Sequence, residues 1–323
     1  MAQSTAATAS VGKPIVRALT TEDLPEAARI IRDAFGTFFG VPDLETFWND
    51  RDYVYGRQPA AHVASFGAVL DGKLVGSNFA TNWGSVGFFG PLSVRPDVQE
   101  RGVARALLQK TMEQFGAWGT RHVGLFTFAH SAKHVALYQK YGFYARFLTA
   151  VMEAPATRQT AAGWSRFSAL GKAQQEEALR ACRDVAETVH PGLDLGGEIR
   201  ATAAQKLGDT VLLEGSGGIT GFAVCHYGPR GEAGANTCYV KFGIVRAGPP
   251  AAQNFSRLLD ACEALAVAAG MPKLLAGANM ARDEAYRMLV GRGFRTALQG
   301  VGMQKDNDPG YCRPSVFIID DWR

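Results

Sequence analysis

The sequence predicts a mixed α/β fold (α+β, with a mixed sheet) arranged as two similar domains in tandem. Its 323 residues are enough for two domains of ordinary size, and 47% of them are hydrophobic, which is enough for two cores. Strand-like and helical patterns alternate along the chain, as in domains whose helices cover a sheet. The second half also repeats the first 151 residues later, with Val245 matching Val94 and Phe294 matching Phe143. Such a spacing indicates a duplicated domain, because solenoid repeats are far shorter.

Local patterns place the elements of the first predicted domain, residues 14–153. A helix begins after Thr21, because threonine is a preferred capping residue and apolar residues then recur at helical spacing. The Asp71-Gly72 pair predicts a tight hairpin between two strands. The predicted strands are 15–20, 65–70, 73–80, 85–94, 122–128 and 143–152, and the predicted helices are 21–35, 103–115 and 132–141.

The rest of the chain divides into a leader, a linker and a second domain. Residues 1–13 are rich in Ala, Ser and Thr and are interpreted as a disordered leader. Residues 154–163 are small and polar and are interpreted as a linker. The second domain is residues 164–323. Its predicted strands lie near 210–213, 219–226 and 238–245, with a tail strand at 315–322 suited to pairing with a sheet edge.

Composition and charge exclude several classes of protein. The net charge is +4 without a long run of Lys or Arg, and no nucleic-acid-binding motif is present, so we expect no nucleic-acid partner. No stretch reaches the roughly 18 apolar residues of a membrane helix, so we expect no membrane partner. The five cysteines are odd in number and lack Cys-x-x-Cys spacing, which argues against disulfides and a metal site and favours a reducing cytoplasm.

The motif that indicates chemistry lies where the strand at 85–94 leads into the next helix. Pro96 ends strand pairing, and Gly102 allows a ligand to approach the backbone closely where the helix begins. Free N–H groups at a helix N-terminus hold phosphates, and Arg101 and Arg105 add positive charge beside them. The segment fits neither the Rossmann glycine pattern nor a P-loop, so the phosphate would belong to another class of ligand.

Two sequence blocks indicate which class that is. The first is Gln99-x-x-Gly102-x-Ala104, and the second runs from Ala136 to Phe143. The first resembles the pyrophosphate-binding motif of the GCN5-related N-acetyltransferase (GNAT) superfamily, and the second is similar to that family's helix-to-strand segment. Their distance and element order are also those of the family over residues 15–152. The resemblance implies that both domains are GNAT-like, that the first is catalytic, and that acetyl-CoA or another acyl-CoA is the co-substrate.

The resemblance also implies roles for individual residues. Tyr138 matches the family tyrosine that protonates the departing CoA thiolate, and Ser131 stands where many members have asparagine. No carboxylate occurs from Ser85 to Val94, where several members keep a general base, so a water chain or His130 would take the proton; a capping or solvated role is the alternative for this histidine. The cofactor-binding residues would be Leu92, Ser93, Val94, Gln99, Glu100, Arg101, Gly102, Val103, Ala104 and Arg105, with Ser131.

The acceptor pocket of this family lies between the first two helices and the central strands, where aromatic residues of this sequence are concentrated. We expect most of them to pack in the core. The remainder would line an apolar pocket for an aromatic or alkyl amine. Two asparagines of the neighbouring strand are suited either to orient the acceptor or to hydrogen-bond at the strand edge. The candidate acceptor contacts are Phe35, Phe39, Trp48, Asn78, Asn82 and Trp83.

The second copy lacks this machinery. At the positions that match the pyrophosphate motif and the tyrosine, it has Pro250, Gln253, Phe255 and Leu289. Proline removes a backbone donor, and phenylalanine is bulky where a phosphate should approach. We therefore interpret the second domain as a degenerate GNAT-like copy that completes the pocket of the first domain or forms a homodimer interface.

The sequence thus predicts an N-acyltransferase that moves acetyl from acetyl-CoA to the primary amine of a small molecule by direct attack. Two alternatives stay open. One is a non-catalytic acyl-CoA sensor or scaffold, which the missing carboxylate and the degenerate copy would suit. The other is an acetyltransferase that acts on protein or peptide amines.

Overall fold

A computed structural model describes residues 12–229 and 231–323. The predicted leader lies almost wholly outside these residues. The strands are β1 (Ile15–Ala18), β2 (Val63–Leu70), β3 (Lys73–Trp83), β4 (Val86–Phe89), β5 (Ser93–Val94), β6 (His122–Thr127), β7 (Phe143–Pro155), β8 (Trp164–Arg166), β9 (Gly208–Gly215), β10 (Gly218–His226), β11 (Thr237–Val245), β12 (Lys273–Asn279), β13 (Arg295–Lys305) and β14 (Ile318–Ile319). The α-helices are α1 (Leu24–Phe39), α2 (Val103–Trp118), α3 (Ala132–Gln139), α4 (Lys172–Glu187), α5 (Gly196–Ala204), α6 (Ala251–Ala268) and α7 (Asp283–Gly291).

These strands form one mixed sheet, which confirms the predicted mixed α/β class. Neighbouring strands across the sheet follow the order β1-β2-β3-β4-β6-β13-β7-β12-β11-β10-β9-β8, while β5 pairs with β3 and β14 with β11. Most neighbours are antiparallel, but β4 is parallel to β6, and β11 is parallel to β12. Within the described residues, no helix is both long and apolar enough to cross a membrane.

The last strands of the two halves are exchanged. We call residues 12–163 the first half and residues 164–323 the second half. The elements α6, β12, α7 and β13 follow α2, β6, α3 and β7 at the spacing of the sequence repeat. However, β13 of the second half lies between β6 and β7 of the first, and β7 pairs in turn with β12. The halves therefore complete each other's part of a single sheet.

The first half contains the predicted elements with shifted ends. The Asp71-Gly72 hairpin joins β2 and β3, with both turn residues at positive φ, as such a turn requires. Helix α1 continues past Phe35 until Gly40, at φ +66, ends it. The strand predicted at 85–94 is broken at Gly90 into β4 and β5. Helices α1 and α2 pack in different apolar clusters that both include residues of β3, so β3 is covered on both faces.

A group of buried charged side chains joins the halves. Arg57 of the first half pairs with Glu232 of the second at 2.9 Å, and Lys241 pairs with the same carboxylate at 2.7 Å. His62 lies 3.0 Å from the carboxylate of Glu198. Charges removed from water are tolerated only when they are paired in this way. The junction is therefore specific rather than a loose apolar contact.

We expect the stability of this junction to fall as the pH is lowered from about 6.5 to 4. His226 belongs to the same group, with its Nε2 3.8 Å from the carboxylate of Glu198. Burial lowers the pKa of His226 to about 4, so the unfolded chain takes up this proton at a higher pH than the folded chain. Acid therefore favours the unfolded state progressively across this interval, and the stability is regained as the pH rises. Thermal melting over a pH series measures the effect, which His226→Gln should reduce and His130→Gln, at an exposed site, should not. Identical melting profiles for wild type and His226→Gln would contradict the assignment.

Candidate functional site

A cavity of about 810 Å³ opens where β4 and β6 diverge. The two strands are parallel neighbours from Val86 and His122 to Phe88 and Gly124. Beyond Gly90, β5 pairs with β3, and none of the described strands pairs with its other edge. Leu92, Ser93 and Val94 line the cavity at this point. The cavity is therefore bordered by an unpaired strand edge, to which an extended ligand can hydrogen-bond.

The N-terminus of α2 forms the adjoining wall. Glu100 and Gly102 have positive φ values of +69 and +81, which turn the backbone sharply into the helix. Within the described ranges, the amides of residues 100–105 donate to no acceptor, and the first helical bond runs from Ala106 to the carbonyl of Gly102 at 3.1 Å. Consecutive free amides at the start of a long helix form an anion-binding site. The predicted phosphate cradle is therefore geometrically available.

The charges around the cavity are mostly positive. Among the described residues that line it, Glu100 is the only one with an acidic side chain, and Lys133 lies 3.3 Å from it. Arg101 is not part of the lining, and its guanidinium lies 4.0 Å from Asp71. The positive excess suits a ligand with several phosphates. The cationic lining residues are Arg51, Arg105, Lys133, Lys140 and Arg323.

Helix α3 brings Tyr138 to the cavity. The side chain is 7% exposed, and its hydroxyl has no hydrogen-bond partner among the described residues. Burial raises the pKa of Tyr138 well above its usual value, so the phenol keeps its proton at neutral pH. A protonated, unpaired hydroxyl at a cavity wall is suited to donate a proton. Tyr141 is not in the lining, and its hydroxyl donates instead to the carbonyl of Arg105 at 3.0 Å.

The structure does not place His130, the histidine chosen from the sequence, at the cavity. His130 is exposed, stacks on Phe38 with ring centroids 5.5 Å apart, and does not line the cavity. His134 does line it, together with Ser131. His134 and Tyr138 are four residues apart, which places them on one face of the helix. Burial lowers the pKa of His134, which favours its neutral imidazole.

The other end of the cavity is aromatic. Phe35 and Trp48, two of the predicted acceptor contacts, lie there with ring centroids 5.2 Å apart. This end also receives side chains from the second half, which the sequence analysis did not identify. The aromatic residues that line the cavity near these rings are Phe35, Phe38, Trp48, Tyr53, Phe126, Phe128 and Trp322.

Four other predicted acceptor contacts lie outside the cavity, so the structure does not support them. Asn78 is fully buried and donates to a threonine of α2 at 2.8 Å. Trp83 donates to a buried carboxylate of α5 at 3.1 Å, and Asn82 accepts from a turn amide at 2.7 Å. Phe39 is 38% exposed and packs against neighbouring rings. Asn78 and Trp83 are buried because β3 is covered on both faces, so its side chains enter packed cores.

The structure also adds residues that the sequence analysis missed. Arg51 and Lys133 line the cavity from the loop after α1 and from α3, and Leu298, Trp322 and Arg323 reach it from the second half. Only Trp322 carries a signal in the sequence, as an aromatic residue at the end of an apolar tail. Among the described residues, no group of three or more His, Cys, Asp or Glu side chains is placed to hold a metal ion.

Comparison with known proteins agrees with this geometry. Residues 26–143 match the sequence profile of the acetyltransferase (GNAT) family, whereas no curated protein matches the chain. The fold is similar to that of a putative acetyltransferase from Pyrococcus horikoshii, at 13% identity and a TM-score of 0.64 over 99% of each chain. It is also similar to a GCN5-related N-acetyltransferase from Sphaerobacter thermophilus, at 17% identity and a TM-score of 0.55 over 92% of this chain and 96% of that one.

A third similar structure comes from a fungal multi-domain GH3 beta-N-acetylglucosaminidase with a GCN5-related glucosamine N-acetyltransferase region. It is 14% identical, with a TM-score of 0.59 over 92% of this chain and 38% of that one. At such low identities, these likenesses establish the fold and leave the reaction to the chemistry of the site.

Proposed function

We propose, from the premise that residues 26–143 form an acetyltransferase (GNAT) family domain, that this protein is an acyl-CoA-dependent N-acyltransferase. Its expected reaction moves acetyl from acetyl-CoA to the primary amine of a small molecule. The observation that carries the proposal is the meeting of three features in one cavity. These are a row of free amides, an unpaired strand edge and a buried, protonated tyrosine.

Each feature has a place in the reaction. The amides of residues 100–105 would hold the pyrophosphate of CoA, and the main chain of Leu92 to Val94 would hold the pantetheine arm. The neutral amine would attack the thioester carbonyl, and main-chain donors would stabilise the developing oxyanion. As the C–S bond breaks, Tyr138 would donate its proton to the thiolate. No acyl-enzyme on cysteine is expected, because the first half contains no cysteine.

We further propose that the second half is a degenerate copy of the first, with the domains at residues 14–153 and 164–323. Its matching elements support this duplication. Pro250 precedes α6 where the first half has its phosphate cradle, and Phe255 is fully buried against Phe317 with ring centroids 5.4 Å apart. Leu289 replaces the tyrosine. We expect the copy to bind no CoA and to serve the first half or a homodimer contact.

A turnover screen separates this function from its alternatives. Release of free CoA from acetyl-CoA is measured with aryl amines, polyamines, amino acids, aminoglycosides and peptides. Turnover with small amines supports the proposal, and a preference for peptides would transfer it to protein acceptors. Binding of acetyl-CoA without turnover on any amine would instead favour the non-catalytic sensor.

The reducing cytoplasm is the proposed location of the protein, supported by five buried free cysteines among the described residues.

The value of kcat/KM for the amine should rise with pH, because only the neutral amine attacks. The rise should continue until the amine, or the histidine that accepts its proton, has lost its own proton. His134→Gln should alter this profile, because His134 lines the cavity and burial lowers its pKa. His130→Gln is the matched control and should leave the profile unchanged. A changed profile in the control alone would return the role of base to His130.

A further inference from the structure

The tail of the chain occupies, in the second half, the place that the ligand would take in the first. Strands β11 and β12 run parallel until Val240 and Ala276 and then diverge. Strand β14 enters the gap and pairs with β11, with Ile318 opposite Ile244. On the other side of the gap, the amide of Asp320 donates to the carbonyl of Gly277 in β12 at 3.0 Å. The tail thus bridges the two diverging strands.

The place where β14 pairs with β11 corresponds to the unpaired strand edge of the first half. The paired residues Gly243 and Ile244 lie 151 positions after Leu92 and Ser93, which line the cavity. The sequence analysis expected the tail strand to pair with a sheet edge. It instead pairs inside the sheet, because the divergence of β11 and β12 exposes unsatisfied backbone groups there. The second cleft is therefore closed by the protein itself.

After β14, the tail crosses into the first half and reaches the aromatic side of the cavity. The ring of Trp322 covers Gly124 of β6 so closely that a Cβ atom at this glycine would overlap it. The indole Nε1 donates to the hydroxyl of Tyr311 at 2.8 Å. This hydroxyl bonds to Asp320, which pairs with the buried Arg282 at 2.7 Å. The ring is thus fixed from two sides and is 5% exposed.

The charges near this ring restrict the acceptor further. Arg51 and Arg323 line the same cavity as Trp322, and Arg323 is paired with Asp321 at 3.1 Å. Glu100, the only acidic side chain among the described lining residues, belongs to the phosphate-binding wall. A second ammonium group on the acceptor would therefore find no acidic side chain to pair with at this end of the cavity. A single amine attached to a flat apolar body fits the aromatic rings and carries no such extra charge.

We propose that Trp322 is the residue through which the second half selects the acceptor, and that the acceptor is an arylalkyl monoamine rather than a polyamine or an aminoglycoside. This inference rests on the proposed function. The ring of Trp322 contacts the body of the amine and limits its size, while the CoA half of the cavity is independent of it. The specificity of the first half is in this way supplied by the tail of the second.

The test compares kcat/KM for 2-phenylethylamine, the bulkier 4-phenylbenzylamine and spermidine. Wild type should prefer phenylethylamine over both. Trp322→Ala should shift the ratio of the bulky to the small aryl amine by about tenfold or more, as expected when one aromatic contact is lost and space is gained. Trp322→Phe should lie between the two. The KM for acetyl-CoA should stay the same throughout, and Trp164→Ala, at a half-buried tryptophan outside the cavity, is the matched control.

A second variant reaches the same ring without changing it. Gly124→Ala should push Trp322 into the cavity and lower kcat/KM most for the bulky amine, with the KM for acetyl-CoA retained. Unchanged ratios in folded Trp322 and Gly124 variants, or spermidine as the best substrate of wild type, would overturn the inference while the transferase function stands. Wild type that binds acetyl-CoA but acetylates no amine would overturn both.

Discussion

Replacing Tyr138 with phenylalanine is expected to lower kcat by about ten- to a thousandfold, with the affinity for acetyl-CoA nearly unchanged. The substitution removes the hydroxyl that lines the cavity but keeps the ring, which packs against Phe89 with centroids 5.8 Å apart. The departing thiolate would then have to take its proton from water. Because burial raises the pKa of Tyr138, the hydroxyl should remain a proton donor throughout the neutral range.

Tyr141→Phe is the control for this experiment. It removes a hydroxyl from the same segment, but that hydroxyl donates to a backbone carbonyl and does not line the cavity. Single-turnover kinetics should be used, so that chemistry rather than product release is measured. If Tyr138→Phe matches wild type in the chemical step, or if Tyr141→Phe loses as much activity, Tyr138 is not the acid.

Replacing Gly102 with valine is expected to weaken acetyl-CoA binding by about a hundredfold or more, because several charge-assisted contacts to the pyrophosphate would be lost. Gly102 has φ +81, which a β-branched residue adopts only with strain, so the turn before α2 should change shape. A Cβ at this position would meet no protein atom within 4 Å, so the folded core should not be disturbed. Titration calorimetry gives both the affinity and the stoichiometry, which should be one acetyl-CoA per wild-type chain.

Gln253→Val is the matched control, since Gln253 holds the corresponding position in the second half. It is exposed on α6, where valine costs about 0.5 kcal/mol of helix stability, and it should leave the affinity for acetyl-CoA unchanged. Two acetyl-CoA per chain, or equal losses from the two substitutions, would mean that the second cleft binds the co-substrate after all.

Most of the residues proposed to bind CoA line one cavity, as the sequence predicted, because their signals are local. Gly102 and the residues around it form one continuous strand–turn–helix segment, and Tyr138 lies in a second short block. Helical spacing could also have favoured His134 over His130, because only His134 is four residues from Tyr138. The part of the cavity proposed to bind CoA thus depends on short segments whose geometry the local sequence specifies.

The acceptor end could not be predicted in the same way, because it is assembled from distant segments. Asn78 and Trp83 were polar or aromatic residues at a promising place in the sequence, but the cores on both faces of β3 bury them. Trp322 reaches the cavity only because the tail is held between β11 and β12, and it follows Trp48 by 274 residues in the sequence. Such contacts depend on strand order, and the exchange of β7 and β13 is not encoded in any local pattern.

Because β7 and β13 are exchanged, the first half cannot complete its folding during translation until β13 has been synthesised. The residues proposed to bind CoA leave the ribosome early, but β6 gains its second neighbour only when β13 has been made. Until then, the growing chain would expose long strand edges, which are prone to wrong pairing and aggregation. A gene fragment that encodes the first half alone should therefore yield insoluble protein. Co-expression of the two halves as separate fragments should restore solubility. The half proposed to be catalytic is in this sense an unfinished nascent chain until the second half has been synthesised.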